Sequence, residues 1–290
     1  MTGFSKQNVL TSNIVLLEHA ERIRSVFALE KIPFLFIKGC AFLDTLYLDL
    51  SQRKMCDIDV LVPRENKKEA AKLLLANGYK QKPLPKGREE TFNRHYNLAF
   101  ELEACPKIVI ELHTELCQKK QFNVDYESLF RRCVEYTTAD RIVPTLSAED
   151  SILSLVLHAV KESFHIDSLR LSDANLIVKE WKPDFSVILQ RAKDYGFLFA
   201  TKYYLKKMID QFDVDMKIEL SFTKLEKAKA VFLDKNQINE GESKLKRRLH
   251  QLVGMVLTSD TKKHLVGFFA DYGIRRLTDG KRYFGAKNNE

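Results

Sequence analysis

The segment Cys-Asp-Ile-Asp-Val-Leu-Val at positions 56–62 constrains the fold of this chain more than any other feature. Ile58 and Val60 alternate with other residues at the period of two that is typical of a β-strand. Asp57 and Asp59 then lie on the opposite face of the strand. Two carboxylates at i and i+2 point the same way, with their Cα atoms roughly 6 to 7 Å apart. The segment therefore predicts a strand that carries two acids side by side.

The two aspartates indicate a cation site. Two like charges at this distance are unfavourable unless a cation bridges them. A hard cation such as Mg²⁺ binds through one or two carboxylates together with the phosphates of a substrate. The alternative is a solvent-facing strand, but aspartate is depleted in strands, so two on one face require a physical reason. The pattern favours metal-assisted phosphoryl or nucleotidyl chemistry.

A second pair of polar residues shares one face of a later strand. After a loop over 80–90, two strands are predicted over 95–103 and 107–115, joined by a hairpin at Ala104-Cys105-Pro106. Glu111 and His113 lie on the face of the second strand that is turned away from its apolar residues. Taken alone, Glu111 could be a surface acid on an edge strand, and a lone histidine is usually structural. Both are candidate members of the same site as the aspartates.

The region before the aspartate strand predicts a β-α-β-α unit. Apolar residues at helical spacing predict a helix over 8–30, which ends near Pro33. An apolar strand over 34–37 leads directly into Lys38-Gly39-Cys40. Helices are predicted over 41–50 and 65–77, the second closed by Gly78.

The second half of the chain is predicted to be helical. Ser147-Ala148-Glu149-Asp150 is a helix start, with serine as the N-cap and an acid three residues later. Helices are predicted over 148–163, 168–180, 184–195 and 197–212. We therefore expect an α+β fold, with a mixed sheet and flanking helices over 1–145 and an all-helical domain over 146–290.

Composition narrows the class of protein. Apolar residues make up 45% of the 290 residues, which is enough for a buried core. We expect a cytoplasmic protein, because the sequence has no apolar run of membrane-spanning length and no signal peptide. Five cysteines without Cys-x-x-Cys spacing fit buried thiols in a reducing compartment.

The C-terminal segment is strongly basic. Eleven Lys or Arg and five Asp or Glu follow residue 240, so this segment carries +6 of the net charge of +8. A basic segment suits a polyanionic partner such as a nucleotide, a nucleic acid or anionic lipid. A solvated helix face is an equally good interpretation. The candidates for contact with an anionic acceptor are Lys244, Lys246, Arg247 and Arg248.

The order of these motifs resembles the nucleotidyltransferase superfamily that includes polymerase beta, kanamycin nucleotidyltransferase and CCA-adding enzymes. Its pattern is a strand, a glycine turn opening a helix, Asp-x-Asp on the next strand, and a third carboxylate on a later strand. Within it, the chain resembles a largely uncharacterised bacterial family with a Lys-Gly turn, an arginine before Asp-x-Asp, and an acid-Leu-His strand. Here these elements are Lys38-Gly39, Arg53, Asp57-Ile58-Asp59 and Glu111-Leu112-His113, and the helical half is similar as well.

The resemblance implies an enzyme that moves a nucleoside monophosphate from a triphosphate such as ATP to an acceptor hydroxyl and releases pyrophosphate. It implies two Mg²⁺ ions held by Asp57, Asp59 and Glu111. The acceptor is open: a small molecule, a peptide or an RNA end. The helical domain is expected to form the other wall of the cleft and to select the acceptor. Nucleotide-binding residues implied by the resemblance are Lys38, Gly39, Cys40, Arg53 and His113.

Two departures bear on these expectations. The superfamily's turn usually has Gly-Gly or Gly-Ser, whereas Cys40 follows Gly39 here, so a phosphate contact at this position must come from backbone N–H groups. Glu111 stands where the family often has Asp, and its extra methylene shifts the carboxylate. Lys38-Gly39 could also be a plain turn, and Arg53 could cap a helix or pair with Asp49. The alternative function is a non-catalytic module of the same fold that binds nucleic acid or a protein through the basic segment.

Overall fold

The structure is a computed structural model, and it describes residues 5–84, 97–117, 121–138, 141–162, 164, 166–214, 218–235, 253–254, 256–260 and 266. The chain divides into two compact units. The first contains the described residues up to Glu115 together with 126–147, and the second contains 116–125 and the described residues from 148 onwards. The predicted domain limits, 1–145 and 146–290, stay a prediction.

The first unit begins with a long amphipathic helix, α1 (Lys6–Leu29). Ser5 caps it by accepting a hydrogen bond from the backbone N–H of Asn8. Leu17, Ile23 and Phe27 recur at helical spacing and are buried, so one face of the helix packs into the core. The helix predicted over 8–30 is confirmed.

A seven-stranded mixed sheet forms the centre of the first unit, in the order β3-β4-β5-β2-β1-β7-β6. The pairs β2–β5 and β1–β7 are parallel, and the others are antiparallel. The α+β class with a mixed sheet is therefore confirmed. The strands are β1 (Leu35–Phe36), β2 (Ile58–Leu61), β3 (Tyr79–Gln81), β4 (Leu98–Leu102), β5 (Cys105–His113), β6 (Val134–Thr137) and β7 (Ile142–Thr145).

Strand β2 lies at the centre of the sheet, and both of its faces are covered. All four of its residues are buried, including Asp59. A central strand flanked by β1 and β5 has no solvent-exposed face here, so the solvent-facing interpretation of the aspartate strand is excluded for Asp59.

The hairpin turn predicted at Ala104-Cys105-Pro106 lies one residue too late at its start and two residues too late at its end. Glu103 and Ala104 form the turn, and Cys105 and Pro106 already belong to β5. A β-bulge between Glu101 and Leu102 shifts the register of the β4–β5 pair at this point. Proline lacks an N–H group for the ladder, and bulges are where sheets accommodate it.

Short helices connect the strands of the first unit. Helix α2 (Gly39–Leu46) is shorter than the predicted helix over 41–50, and it begins at the glycine itself. A 3₁₀ turn (Arg64–Asn66) leads into α3 (Lys67–Ala76), which ends before Gly78 at a φ of 84°, as predicted. Helix α4 (Tyr126–Arg131) precedes β6.

The second unit is helical in its described part. Helices α5 (Ala148–Lys161), α6 (Ser168–Leu176), α7 (Phe185–Tyr195) and α8 (Leu198–Phe212) match the four predicted ones. The predicted helix over 168–180 ends as a π-helical turn (Ile177–Trp181). Helix α9 (Lys224–Lys235) follows. Among the helices of the described residues, none is long and apolar enough to cross a membrane.

Candidate active site

The pairing of β2 with β5 places the predicted acids side by side. The two strands are parallel, and Asp59 is the direct register partner of Glu111. Two residues further along, Leu61 is the partner of His113. Side chains of paired positions in adjacent strands lie on the same face of a sheet. The two polar motifs, which are separated by about fifty residues of sequence, therefore meet in the structure.

The carboxylate of Asp59 is the centre of the cluster. Its Oδ1 lies 2.6 Å from Nε2 of His113 and 2.6 Å from Nζ of Lys38. The same Nε2 of His113 lies 3.3 Å from Oε2 of Glu111. Ligand atoms of Asp59, Glu111 and His113 all lie within 4.8 Å of one another, and this is the one such group of three potential metal ligands among the described residues.

These contacts set the protonation states of two acids. Burial raises the pKa of Asp59, but Lys38 and His113 outweigh it, and the resulting pKa lies well below the usual range. The hydrogen bond from His113 lowers the pKa of Glu111, against the opposing effect of burial. Both carboxylates are therefore ionised at neutral pH.

Asp57 lies at the edge of the cluster, outside that group of three. Asp57 is half-buried and directly precedes β2. Burial, followed by repulsion from Asp59 and Glu111, raises the pKa of Asp57 to about 6. Burial is the larger cause, and the additional repulsion indicates that the three carboxylates lie close enough to interact.

Lys38 reaches the cluster from the turn after β1. The backbone N–H of Ile37 donates to the carbonyl oxygen of Asp59 at 3.1 Å, so the next residue stands beside Asp59. Lys38 then adopts φ 56° and ψ −131°, in the left-handed half of φ that favours glycine. Strained backbone of this kind persists where the surrounding structure enforces it, and it is common at functional sites.

Gly39 is required by the close approach of Arg53. A Cβ atom at Gly39 would lie 2.5 Å from Nη1 of Arg53. Arg53 is itself buried, so its guanidinium cannot simply move into solvent. Two cationic groups therefore lie at this turn: the ammonium of Lys38 and the guanidinium of Arg53, which packs against Gly39.

Cys40 lies inside the protein rather than at the surface of the turn. Its side chain is buried, and burial raises the pKa of the thiol far above its usual range. The thiol is therefore neutral, and Cys40 can offer an anion only its backbone N–H at the start of α2.

The basic positions Lys244, Lys246, Arg247 and Arg248 lie outside the described residues. The ion pair between Lys38 and Asp59 was not expected, because the sequence motif indicated phosphate binding for Lys38. Asn13 in α1 is the residue that sequence reasoning missed: it is a fully buried polar side chain, and its only signal is that it continues the buried stripe of the helix.

The fold and these motifs define the class of protein as a nucleotidyltransferase. A family model described as an uncharacterised nucleotidyltransferase matches residues 4–208, which is well over half of the chain. The protein therefore belongs to that nucleotidyltransferase family. No curated protein sequence matches the chain significantly.

Several solved structures are similar at low identity. The antibiotic-resistance factor ANT(2'')-Ia is 14% identical, with a TM-score of 0.44, over 69% of this chain and 98% of that one. The lincosamide antibiotic adenylyltransferase LnuA is 15% identical, with a TM-score of 0.37, over 55% and 94%. A nucleotidyltransferase-like protein from Paracoccidioides brasiliensis is 13% identical, with a TM-score of 0.45, over 68% and 88%. At these identities and TM-scores, the similarities do not indicate a substrate.

Proposed function

We propose that this protein transfers a nucleoside monophosphate from a nucleoside triphosphate to an acceptor hydroxyl, in a reaction that depends on a divalent cation and releases pyrophosphate. The observation that supports this function is the convergence of Asp59, Glu111 and His113, with Asp57 at its edge, in a member of a nucleotidyltransferase family. The acceptor class stays open between a small molecule, a peptide and an RNA end.

The donor set suits a divalent cation. Asp57, Asp59 and Glu111 offer carboxylate oxygens, the ligand type that Mg²⁺ prefers. Repulsion from Asp59 and Glu111 contributes, after burial, to the raised pKa of Asp57, and a divalent cation would relieve that repulsion. We assign these three carboxylates as the residues that would hold Mg²⁺, with two ions as the proposed number. When bound, Mg²⁺ would neutralise phosphate charge and lower the pKa of the acceptor hydroxyl.

His113 is proposed to orient Asp59 rather than to replace it. At 2.6 Å, its Nε2 is within hydrogen-bond distance of Asp59 Oδ1, and its side chain is only 4% exposed. A buried donor that fixes a carboxylate leaves the second oxygen of that carboxylate in a defined direction.

Lys38 is proposed to change partner during substrate binding. Its ammonium shares Asp59 Oδ1 with His113, so full use of this carboxylate as a ligand requires one of the two donors to withdraw. The Lys38 side chain is 21% exposed, compared with 4% for His113, and it has a flexible stem. We infer that Lys38 withdraws and that its charge becomes available to the phosphates.

The turn at Gly39 is proposed to hold the phosphates. It lies at the N-terminus of α2, where backbone N–H groups and the helix dipole favour an anion. Arg53 adds positive charge from beneath Gly39. The cation site and the glycine turn would each balance part of the negative charge of the triphosphate. Catalysis would then consist mainly of positioning and electrostatic stabilisation.

Isotopic labelling tests the proposed reaction. The protein is incubated with Mg²⁺, a metabolite extract and each of the four ribonucleoside triphosphates, labelled either at the α-phosphorus or at the γ-phosphorus. Nucleotidyl transfer moves the α-label into a new product and releases the γ-label as pyrophosphate. The test variant is Asp59→Asn in the cluster, and the control variant is Asp210→Asn on the exposed surface of α8, where Asp210 forms an ion pair with Lys206 of the same helix.

The outcomes separate the two functions. Loss of α-label transfer in Asp59→Asn and in the presence of EDTA, with normal transfer in Asp210→Asn, supports the proposal. Transfer of the γ-label instead would identify a phosphotransferase. Absence of any transfer, combined with salt-sensitive polyanion binding that needs no Mg²⁺, would identify the alternative non-catalytic module.

A further inference from the structure

Asn13 is a buried polar residue in a helix that carries none of the recognised motifs. It lies in the second turn of α1, and its side chain is 0% exposed. Buried amide groups are costly unless their hydrogen-bonding capacity is used. The hydrogen-bond partners of the Asn13 side chain therefore indicate why a polar residue interrupts the apolar face of α1.

Every polar atom of the Asn13 side chain contacts one segment of backbone. Its Nδ2 donates to the carbonyl oxygen of Leu50 at 2.5 Å and to that of Arg53 at 2.7 Å. Its Oδ1 accepts from the backbone N–H of Met55 at 3.0 Å. The two donor hydrogens and the acceptor oxygen of one side chain are thus spent on the segment 50–55.

This segment connects the two halves of the proposed site. The residues from 54 to 57 belong to no helix or strand, so the segment 50–55 runs through Cys56 and Asp57 directly into β2. It also carries Arg53, whose guanidinium packs against Gly39. The position of this segment therefore decides both where Asp57 enters the cluster and how the guanidinium supports the glycine turn.

We propose that Asn13 is a positioning residue for nucleotidyl transfer, which acts by clamping the segment 50–55 onto α1. This proposal rests on the proposed function. The clamp fixes the backbone of Arg53 and the approach to Asp57 to a helix that is anchored in the core. A mutation far from the reacting atoms that displaces a catalytic group by about 1 Å can reduce the rate by about a hundredfold.

The test compares Asn13→Ala with Ile23→Ala. Ile23 is a buried residue of the same helix, 2% exposed, and its apolar side chain cannot form the hydrogen bonds that Asn13 makes, so its truncation destabilises α1 and leaves those bonds in place. Binding of ATP, GTP, CTP and UTP is measured with and without Mg²⁺, at a temperature well below the unfolding midpoint of every variant. Transfer of the α-label is measured in parallel.

We expect Asn13→Ala to weaken Mg²⁺-dependent triphosphate binding or to slow α-label transfer by about tenfold to a hundredfold. Ile23→Ala should lower the melting temperature and leave both quantities within about twofold of the wild type. If Asn13→Ala does not fold, Asn13→Asp is measured instead, because it has the same size and keeps the acceptor for the Met55 N–H. Loss of binding or transfer in that variant supports the clamp as well.

Two results would overturn the inference, and they are distinguishable. If the wild type binds triphosphate with Mg²⁺ and the Asn13 variants match Ile23→Ala, Asn13 has only a structural role and the proposed function stands. If the wild type shows neither binding nor transfer, the proposed function falls and the positioning role falls with it.

Discussion

Each compact unit contains a cluster of acids that faces basic side chains, and the two clusters differ in how the charges are matched. In the second unit, Nη1 of Arg191 on α7 lies 3.1 Å from Asp150 and 3.8 Å from Glu149, both on α5. In the first unit, Lys38 and His113 share a single oxygen of Asp59.

On the proposed function, the cluster of the second unit stabilises the fold, and the cluster of the first unit binds a ligand. A guanidinium is permanently charged, and its contact with both acids ties α5 to α7. The ammonium of Lys38 contacts Asp59, whereas burial, together with repulsion from Asp59 and Glu111, raises the pKa of Asp57. A cluster that leaves one acid hard to ionise is incomplete as an ion-pair network, whereas an added divalent cation would complete it.

The largest expected effect comes from removing the central acid of each cluster. Asp59→Asn should reduce α-label transfer by about a thousandfold or more, because it removes charge from the cation site at nearly constant shape. Asp150→Asn should instead destabilise the fold, since it leaves Arg191 with a weakened partner, by about 1–3 kcal/mol. Label transfer and urea denaturation of both variants check this contrast. Near wild-type transfer in Asp59→Asn would remove the basis of the proposed function.

The second effect concerns stability and pH without metal. The folded-state pKa of Asp57, about 6, lies above the ordinary aspartate value of 3.8, so the protonated acid is the form that the fold favours. The stability from this protonated group is present below about pH 4 and is lost as the pH rises through 6. Because an asparagine amide does not ionise, Asp57→Asn does not lose this stability at high pH. The variant should therefore be more stable than the wild type by about 1–2 kcal/mol at pH 7 in EDTA.

This stabilisation should come with a loss of function. Asp57→Asn should still slow transfer by about a hundredfold, because a ligand is missing. Urea denaturation at pH 4, 5, 6 and 7 gives the difference in the free energy of unfolding between variant and wild type. A difference that stays constant with pH would contradict the raised pKa of Asp57.

The third effect tests the close approach at the glycine turn. Gly39→Ala places a methyl group against the guanidinium of Arg53, so we expect triphosphate binding to weaken about tenfold and stability to fall by about 1–3 kcal/mol. Gly78→Ala is the control: it has a positive φ of 84° but no neighbour within 4 Å of the added atom. It should cost about 1 kcal/mol and leave binding unchanged.

The double variant Gly39→Ala/Arg53→Ala sharpens this test. It should recover the stability lost through the clash but not the affinity for triphosphate. If both single glycine variants weaken binding equally, the contact with Arg53 is irrelevant to phosphate binding.

The smallest effect separates charge from backbone strain at Lys38. Lys38→Met and Lys38→Gly both remove the ammonium and should weaken triphosphate binding to the same degree. Only glycine relieves the positive φ of 56°, so Lys38→Gly should be more stable than Lys38→Met by about 1 kcal/mol. Thermal denaturation and triphosphate titration of the pair measure the two contributions. Equal stability of the two variants would show that this backbone is unstrained.

Local sequence patterns predicted the elements that carry strong periodicity. The aspartate strand, the strand with Glu111 and His113, and the helices between 148 and 212 are all present. Strands β3, β6 and β7 were not predicted: each has three or four residues, and β7 contains Pro144, which argues against a strand. Such strands form because neighbouring strands complete their hydrogen bonds, which is a property of the fold rather than of the segment.

The candidate site was predictable in its members but not in its contacts. The face shared by Glu111 and His113 follows from the period of a strand, but the pairing of Asp59 with Glu111 depends on the register between two distant segments. Asn13 could not be recognised, because an asparagine in an amphipathic helix is indistinguishable from an exposed one without its backbone partners. The bond from Lys38 to Asp59 depends on a backbone conformation that the sequence around a lysine does not suggest.

The ion pair between Lys38 and Asp59 has a consequence for the life of the protein before it meets any substrate. Asp59 is already paired with Lys38 and His113 of its own chain, so its burial in the sheet does not depend on a bound metal ion. On the proposed function, folding and cation binding are therefore separate steps, and the reaction begins only when the cation and the nucleotide arrive.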